Sequence, residues 1–160
     1  MTVVVGVDGS ETSKAALRLA AQEARCRGVS LVAVTAYEPP LGTPSGGFPA
    51  ASMHTSEEER ATAESELRDT VHRELGDQAG ETDLRVSAGL AGRVIIDTAR
   101  QTQARLIVLA ASPGKSMLPG TVSQYVLLKA ECPVLIVPGE NKRPEKQGRQ
   151  DEEVRGSAKR

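Results

Sequence analysis

The sequence predicts an α/β protein, one doubly wound sheet of five parallel strands with helices on both faces. Three observations predict it. Short apolar runs recur, the first of them, Thr2 to Val7, near-continuously β-branched as a strand buried on both faces requires. Segments with apolar residues at helical spacing lie between these runs. Strands that alternate with helices close through right-handed crossovers, which makes the sheet parallel.

Thr2 to Val7 is the first such run, and it stops at Asp8-Gly9-Ser10. Ser10 is an N-cap for a helix in which Ala16, Leu17, Ala20, Ala21 and Ala24 recur, with Gly28 as its stop. The small residues predict close packing on the sheet. Val29 to Ala36 is the second strand, ended by Tyr37-Glu38-Pro39-Pro40. From Leu41 to about Met53, Gly, Pro, Ser and Ala without periodicity predict a long mobile loop.

Ser56 followed by Glu57, Glu58 and Glu59 starts a helix expected to reach Leu75 or Gly76, and Ser56 with Glu59 matches a capping box. Its apolar stripe of Leu67, Val71 and Leu75 is thin, so its charges are expected on a solvated face. Thr82 to Ala88, alternating Leu84, Val86 and Ala88, is the third strand, and Gly89-Leu90-Ala91-Gly92 leads into a helix bearing Val94, Ile95, Thr98 and Ala99. Arg105 to Ala111 is the fourth strand, Val122 to Ala130 a short helix, and Cys132 to Val137 the fifth strand. The expected order is 3-2-1-4-5, Rossmann-like or flavodoxin-like. Residues 1–139 form the domain, and Glu140 to Arg160, polar and charged, reads as a disordered tail.

Composition bounds the function. At 160 residues, 39% of them apolar, the chain supports one domain with one core. Twenty Lys and Arg against 21 Asp and Glu leave a net charge of −1, which gives no electrostatic argument for nucleic acid or an anionic membrane as partner. Aromatic residues are 2% of the chain, Tyr37, Phe48 and Tyr125, so no stacking platform for single-stranded nucleic acid is expected. Cys26 and Cys132 lie in different elements without a CxxC pair and read as reduced structural thiols. There is no signal-like N-terminus, and no apolar run approaches the roughly 20 residues that span a bilayer, so a cytoplasmic protein is expected.

In sheets of this kind a ligand sits beyond the carboxyl ends of the strands where strand order reverses, here the ends of strands one and four. The stretch Ala110 to Ser123, AASPGKSMLPGTVS, leaves strand four and feeds a helix. Gly114 and Gly120 let the backbone approach a ligand, and Thr121, Val122 and Ser123 present amides and hydroxyls at the helix's positive end. Asp8 either accepts hydrogen bonds from a ribose or base or bonds the amides of its own turn. Gly6 and Gly9 suit a tight turn, but residues 6–10 lack the full GxGxxG pattern, which disfavours a Rossmann dehydrogenase. Gly114-Lys115-Ser116 suggests a Walker A loop, yet Leu109 stands where that motif needs its first glycine. Lys115 either reaches a phosphate as a point charge or stands solvated. His54 and His72 have no partner at ligand spacing, and no nucleophile with a base can be assembled, which favours binding over catalysis.

VVVGVDGS with its Ala-Leu helix, the strand ending TAYEP, RLIVLAAS and above all GTVSQYVLLKAECPVLIVP mark a resemblance. From about Val3 to Val137 the chain resembles a universal stress protein in its single-domain, adenine-nucleotide-binding form. The resemblance implies Asp8 beside the adenosine, the backbone of Ala36 at adenine, and Gly120, Thr121, Val122 and Ser123 at the phosphates. The family's ATP-binding pattern is Gly, two residues, Gly, nine residues, then Gly with Ser or Thr. Here Ala111 stands for the first Gly, Gly114 for the second, and only five residues separate Gly114 from Gly120, four fewer than the pattern. An added methyl at Ala111, and Pro113 and Pro119 without amides, weaken the ATP case, whereas the amides of Thr121 to Ser123 survive.

The candidate cofactor-binding set is Asp8, Gly9, Ala36, Ala111, Gly114, Lys115, Gly120, Thr121, Val122 and Ser123, with no catalytic or metal-ligating residue. The implied cofactor is ATP or another adenine nucleotide, with Mg²⁺ as its companion. The function that follows is a stress-response sensor or adaptor with little or no turnover. One alternative has lost the nucleotide and works as a dimeric interaction module. Another, an ATP-consuming ligase of the wider fold group, needs an SGGxDS-type loop where this chain reads GVDGS, and no HIGH-like motif is present. The resemblance also implies a homodimer through strand 132–138, whose VLIV run at a bare sheet edge is an aggregation hazard.

Overall fold

The computed structural model describes residues 1–38, 56–111 and 120–139. The predicted loop 41–53, His54, residues Gly114 and Lys115, and the predicted tail 140–160 lie outside the described residues. The elements in chain order are β1 (Thr2–Gly6), α1 (Glu11–Arg27), β2 (Ser30–Tyr37), α2 (Ser56–Leu75), β3 (Thr82–Ala88), α3 (Ala91–Gln101), β4 (Ala104–Ala110), α4 (Thr121–Lys129) and β5 (Val134–Val137). A 3-10 turn, Gly76–Glu81, joins α2 to β3. The five strands form one parallel sheet in the order β3-β2-β1-β4-β5, the predicted order.

The pleat explains why β1, β2 and β4 carry no polar alternation, whereas the edge strand β3 sets Asp83, Arg85 and Ser87 around Leu84 and Val86. Successive side chains leave opposite faces of a strand. Val3, Val5, Ala33 and Val108 pack under α1 and α2 against Leu17, Ala20, Leu67 and Val71. Val4, Val32, Val34, Ile107 and Leu109 pack on the other face under α3 and α4, against Val94, Ile95, Ala99 and Val126. Both faces of β1, β2 and β4 are covered, so both alternating sets there are apolar. Each such side chain taken from water contributes about 1.5–3 kcal/mol.

Local chemistry fixes where the helices begin and end. Ser10 is extended at φ −68°, ψ 156°, and its hydroxyl oxygen accepts the Ser13 amide at 3.2 Å. At the other end Gly28 has φ 62°, and its amide turns back onto the carbonyls of Ala24 and Arg25. The helix α2 starts at Ser56 itself, and Glu59 Oε2 is buried with no hydrogen-bond partner, so that oxygen does not close the predicted capping box. Strand β5 starts at Val134 rather than Cys132, because Pro133 has no amide for the ladder, although its carbonyl still accepts the Ile107 amide at 3.0 Å. Among the described residues no helix is long and apolar enough to cross a membrane.

Candidate functional site

The strand order reverses between β1 and β4, so their carboxyl ends diverge to helices on opposite faces and leave a gap. A cavity of about 600 Å³ opens there. Its apolar floor is Val34, Ala36, Ile95 and Leu109. Gly6 completes the floor, since a Cβ there would stand 3.0 Å from Ile95 Cδ1 and 3.1 Å from Leu109 Cδ2. An aromatic base is the kind of flat apolar group such a slot accepts.

The polar parts come from three elements. After β1, the Val7 amide bonds the Val34 carbonyl at 2.9 Å and Thr35 Oγ1 donates to the Val7 carbonyl at 2.6 Å, which ties the end of β1 to β2. Asp8 and Gly9 then turn along the cavity wall, and Gly9 at φ 81° supplies the left-handed backbone. Asp8 Oδ1 accepts the Ser10 amide at 2.9 Å, an Asx turn that leads directly into the α1 cap. Partial burial pushes its pKa up, but hydrogen bonds from the hydroxyl and amide of Ser10 and the hydroxyl of Ser13 outweigh that and hold it below the ordinary carboxylate value. The turn-bonding reading of Asp8 is therefore realised, and the same residue lines the cavity.

The second element is α4. Val122 and Ser123 line the cavity, with Ser123 only 2% exposed. Gly120 caps the helix in extended conformation without a side-chain bond, and the first turn contains no acid. Its leading amides have no carbonyl to bond within the helix, so this end carries a partial positive charge. The third element is α2, whose Glu58, Glu59, Thr62, Glu66 and Thr70 form the opposite wall.

Of the predicted set, the structure brings Asp8, Gly9, Ala36, Val122 and Ser123 together around this cavity. Gly120 and Thr121 start α4 but do not line it. Ala111 lies at the end of β4, where its amide donates to the Val137 carbonyl at 2.7 Å and extends the β4–β5 ladder instead of facing the cavity. Glu58, Thr62 and Glu66 of α2 are exposed, as expected of a solvated face, but that face also borders the cavity, a role not anticipated from the sequence. Its signal was the spacing 58-62-66-70, one helix face on which acids and threonines alternate. Among the described residues no three His, Cys, Asp or Glu are grouped to hold a metal ion. Both cysteines are free; burial, aided by Glu131, pushes the Cys132 thiol up, away from reactive thiolate.

A doubly wound sheet with a cavity at its reversal point, fed by a capped strand-to-helix turn and an acid-free helix start, defines an α/β fold of the switch-point class. Within that class the chain belongs to the universal stress protein family, whose family model matches residues 1–138. A universal stress protein of Thermus aquaticus is 33% identical over 143 residues, 85% of this chain and 97% of that one. The structure of a universal stress protein from Archaeoglobus fulgidus in complex with dAMP is similar at 25% identity and TM-score 0.60, covering 86% of this chain and 97% of that one. A universal stress protein in complex with cAMP is similar at 27% identity and TM-score 0.63, covering 86% and 95%.

Proposed function

We propose that the cavity between the ends of β1 and β4 binds an adenine nucleotide and that the protein acts as a stress-response sensor or adaptor with little or no turnover. The observation that carries this reading is the combination in one space of an apolar slot, the Asp8 carboxylate and the acid-free first turn of α4. Base, ribose and phosphate each have a complementary wall. The two similar structures hold dAMP and cAMP, which supports adenine as the base. With one oxygen held by its own turn, Asp8 is suited to positioning a ligand. Mg²⁺, where it takes part, would arrive on the phosphates, since the described residues offer no cluster for it.

Calorimetric titration of the purified chain with ATP, ADP and AMP tests this. Binding heat and a rise in melting temperature are expected, worth about 2.7 kcal/mol at a hundredfold excess over Kd. No heat and no thermal shift at millimolar ligand would overturn the reading in favour of an interaction module. Pairing of two copies along β5 belongs to the same proposal. That strand is a sheet edge, and Leu127 and Leu128 of the neighbouring α4 are exposed. Light scattering should give twice the monomer mass, and a monomer at micromolar concentration would refute pairing.

A further inference from the structure

The cavity's walls carry an unequal charge. Asp8, Glu38, Glu58, Glu59 and Glu66 line it, and among the described lining residues there is no Lys, Arg or His. The two adjoining stretches, 39–55 and 112–119, contain by sequence a single Lys, Lys115, no Arg and one His, His54. Among the described lining residues there are thus five carboxylates and no cation. Three basic side chains of α1 and α2 are paired on their own helices or between them. Arg60 pairs with Glu57 at 3.3 Å and Glu64 at 3.8 Å, Lys14 pairs with Glu11 at 2.5 Å, and Arg18 pairs with Glu74.

A second observation concerns what the acidic wall accepts. Glu59 lines the cavity, and its Oε2 is buried with no hydrogen-bond partner. An unmatched carboxylate oxygen calls for a donor. Ribose hydroxyls and an exocyclic amine can donate, whereas ionised phosphate only accepts. The start of α2 offers an anion nothing, because Glu57, Glu58 and Glu59 occupy its first turn. The start of α4, free of acids, leaves one seat for a phosphate.

Resting on the nucleotide reading above, we propose that this cavity selects adenine ligands by charge, taking a phosphodiester or monophosphate in preference to a triphosphate. A single phosphate sits at the α4 start, and the nucleoside faces the glutamates of α2. In a space of about 600 Å³ a central charge lies within a Debye length of every wall, about 8 Å at physiological salt. Each further phosphate charge therefore meets carboxylates that, Glu59 apart, are solvent-exposed, so the repulsion weakens as salt rises.

The test is calorimetry on the full chain with adenosine, cAMP, AMP, ADP and ATP, without divalent cations, at low and at high salt. ATP should bind at least about tenfold more weakly than cAMP at low salt, and the gap should narrow as salt screens it. A Glu59→Gln/Glu66→Gln variant, checked for native circular dichroism, should tighten ATP more than cAMP. The salt series on the unaltered chain carries the test even where the variant fails to fold. ATP binding as tightly as cAMP, or a gap indifferent to salt, overturns charge selection and leaves the nucleotide reading standing. Silence from all five ligands overturns the nucleotide reading and this proposal with it.

Discussion

The helix α4 reaches the cavity because α3 lets it approach. A Cβ at Gly92, in the first turn of α3, would stand 2.9 Å from Tyr125 Cδ1 and 3.3 Å from Tyr125 Cβ and Cγ. Relaxed carbon pairs sit about 3.5–4.0 Å apart, so Gly92→Ala must displace Tyr125 by roughly 0.5–1 Å. The ring is 40% exposed and can turn, but its Cβ moves only with the α4 backbone. Overpacking of this kind costs about 1–3 kcal/mol, and Ala in a helix returns up to about 1 kcal/mol. The expected net loss is about 1–2 kcal/mol, or roughly 2–8 °C in melting temperature for a chain of this size. Ligand affinity should fall as well, because the displaced backbone carries Val122 and Ser123.

Thermal melts of the unaltered chain, Gly92→Ala, Tyr125→Ala and the double variant measure the coupling. Gly92→Ala should cost less once Tyr125 is cut back. Gly80→Ala is the control, since nothing lies within 4 Å of its added carbon. An additive cycle, or a Gly92→Ala melt as undisturbed as the control, would refute the close-approach argument.

Leu17 is fully buried between α1 and the sheet, and Leu17→Ala should lower stability by about 2–5 kcal/mol, read as a lower urea midpoint at unchanged slope. Gly9→Ala meets open space but keeps φ at 81°, so its cost is purely conformational, about 1–2 kcal/mol by thermal melt. Asp8 is held below its ordinary pKa of 3.8, so its stabilisation is complete above that value and is lost as pH falls through the lower folded value. The stability difference between the unaltered chain and Asp8→Asn should therefore shrink below about pH 4, and a difference that grows in acid would contradict the assignment.

The inner strands were legible because double-sided burial leaves apolar runs such as Thr2–Gly6 with nothing polar between, and the edge strand β3 by its alternation of Leu84 and Val86 with polar residues. The helix α1 was legible at both ends, because Ser10 and Gly28 do there what their side chains and backbone favour. The Pro133 boundary could also have been read from its missing amide. Two things could not. Periodicity tells which α2 residues share a face, but not that the face carrying Glu58, Glu59 and Glu66 borders a cavity. Nor does local sequence reveal that the Ala111 amide is claimed by Val137, a contact made between segments far apart in the chain. Asp8 was ambiguous for a physical reason: a residue just beyond β1 can bond its own turn and line the switch point at once.

The most direct test of the account is a crystal structure of the chain grown with AMP. The account predicts adenosine density over Ala36 and Leu109, flanked by Asp8, with the phosphate at the first turn of α4 beside Ser123. Nucleotide bound elsewhere on the molecule, with this cavity left to solvent, would contradict it.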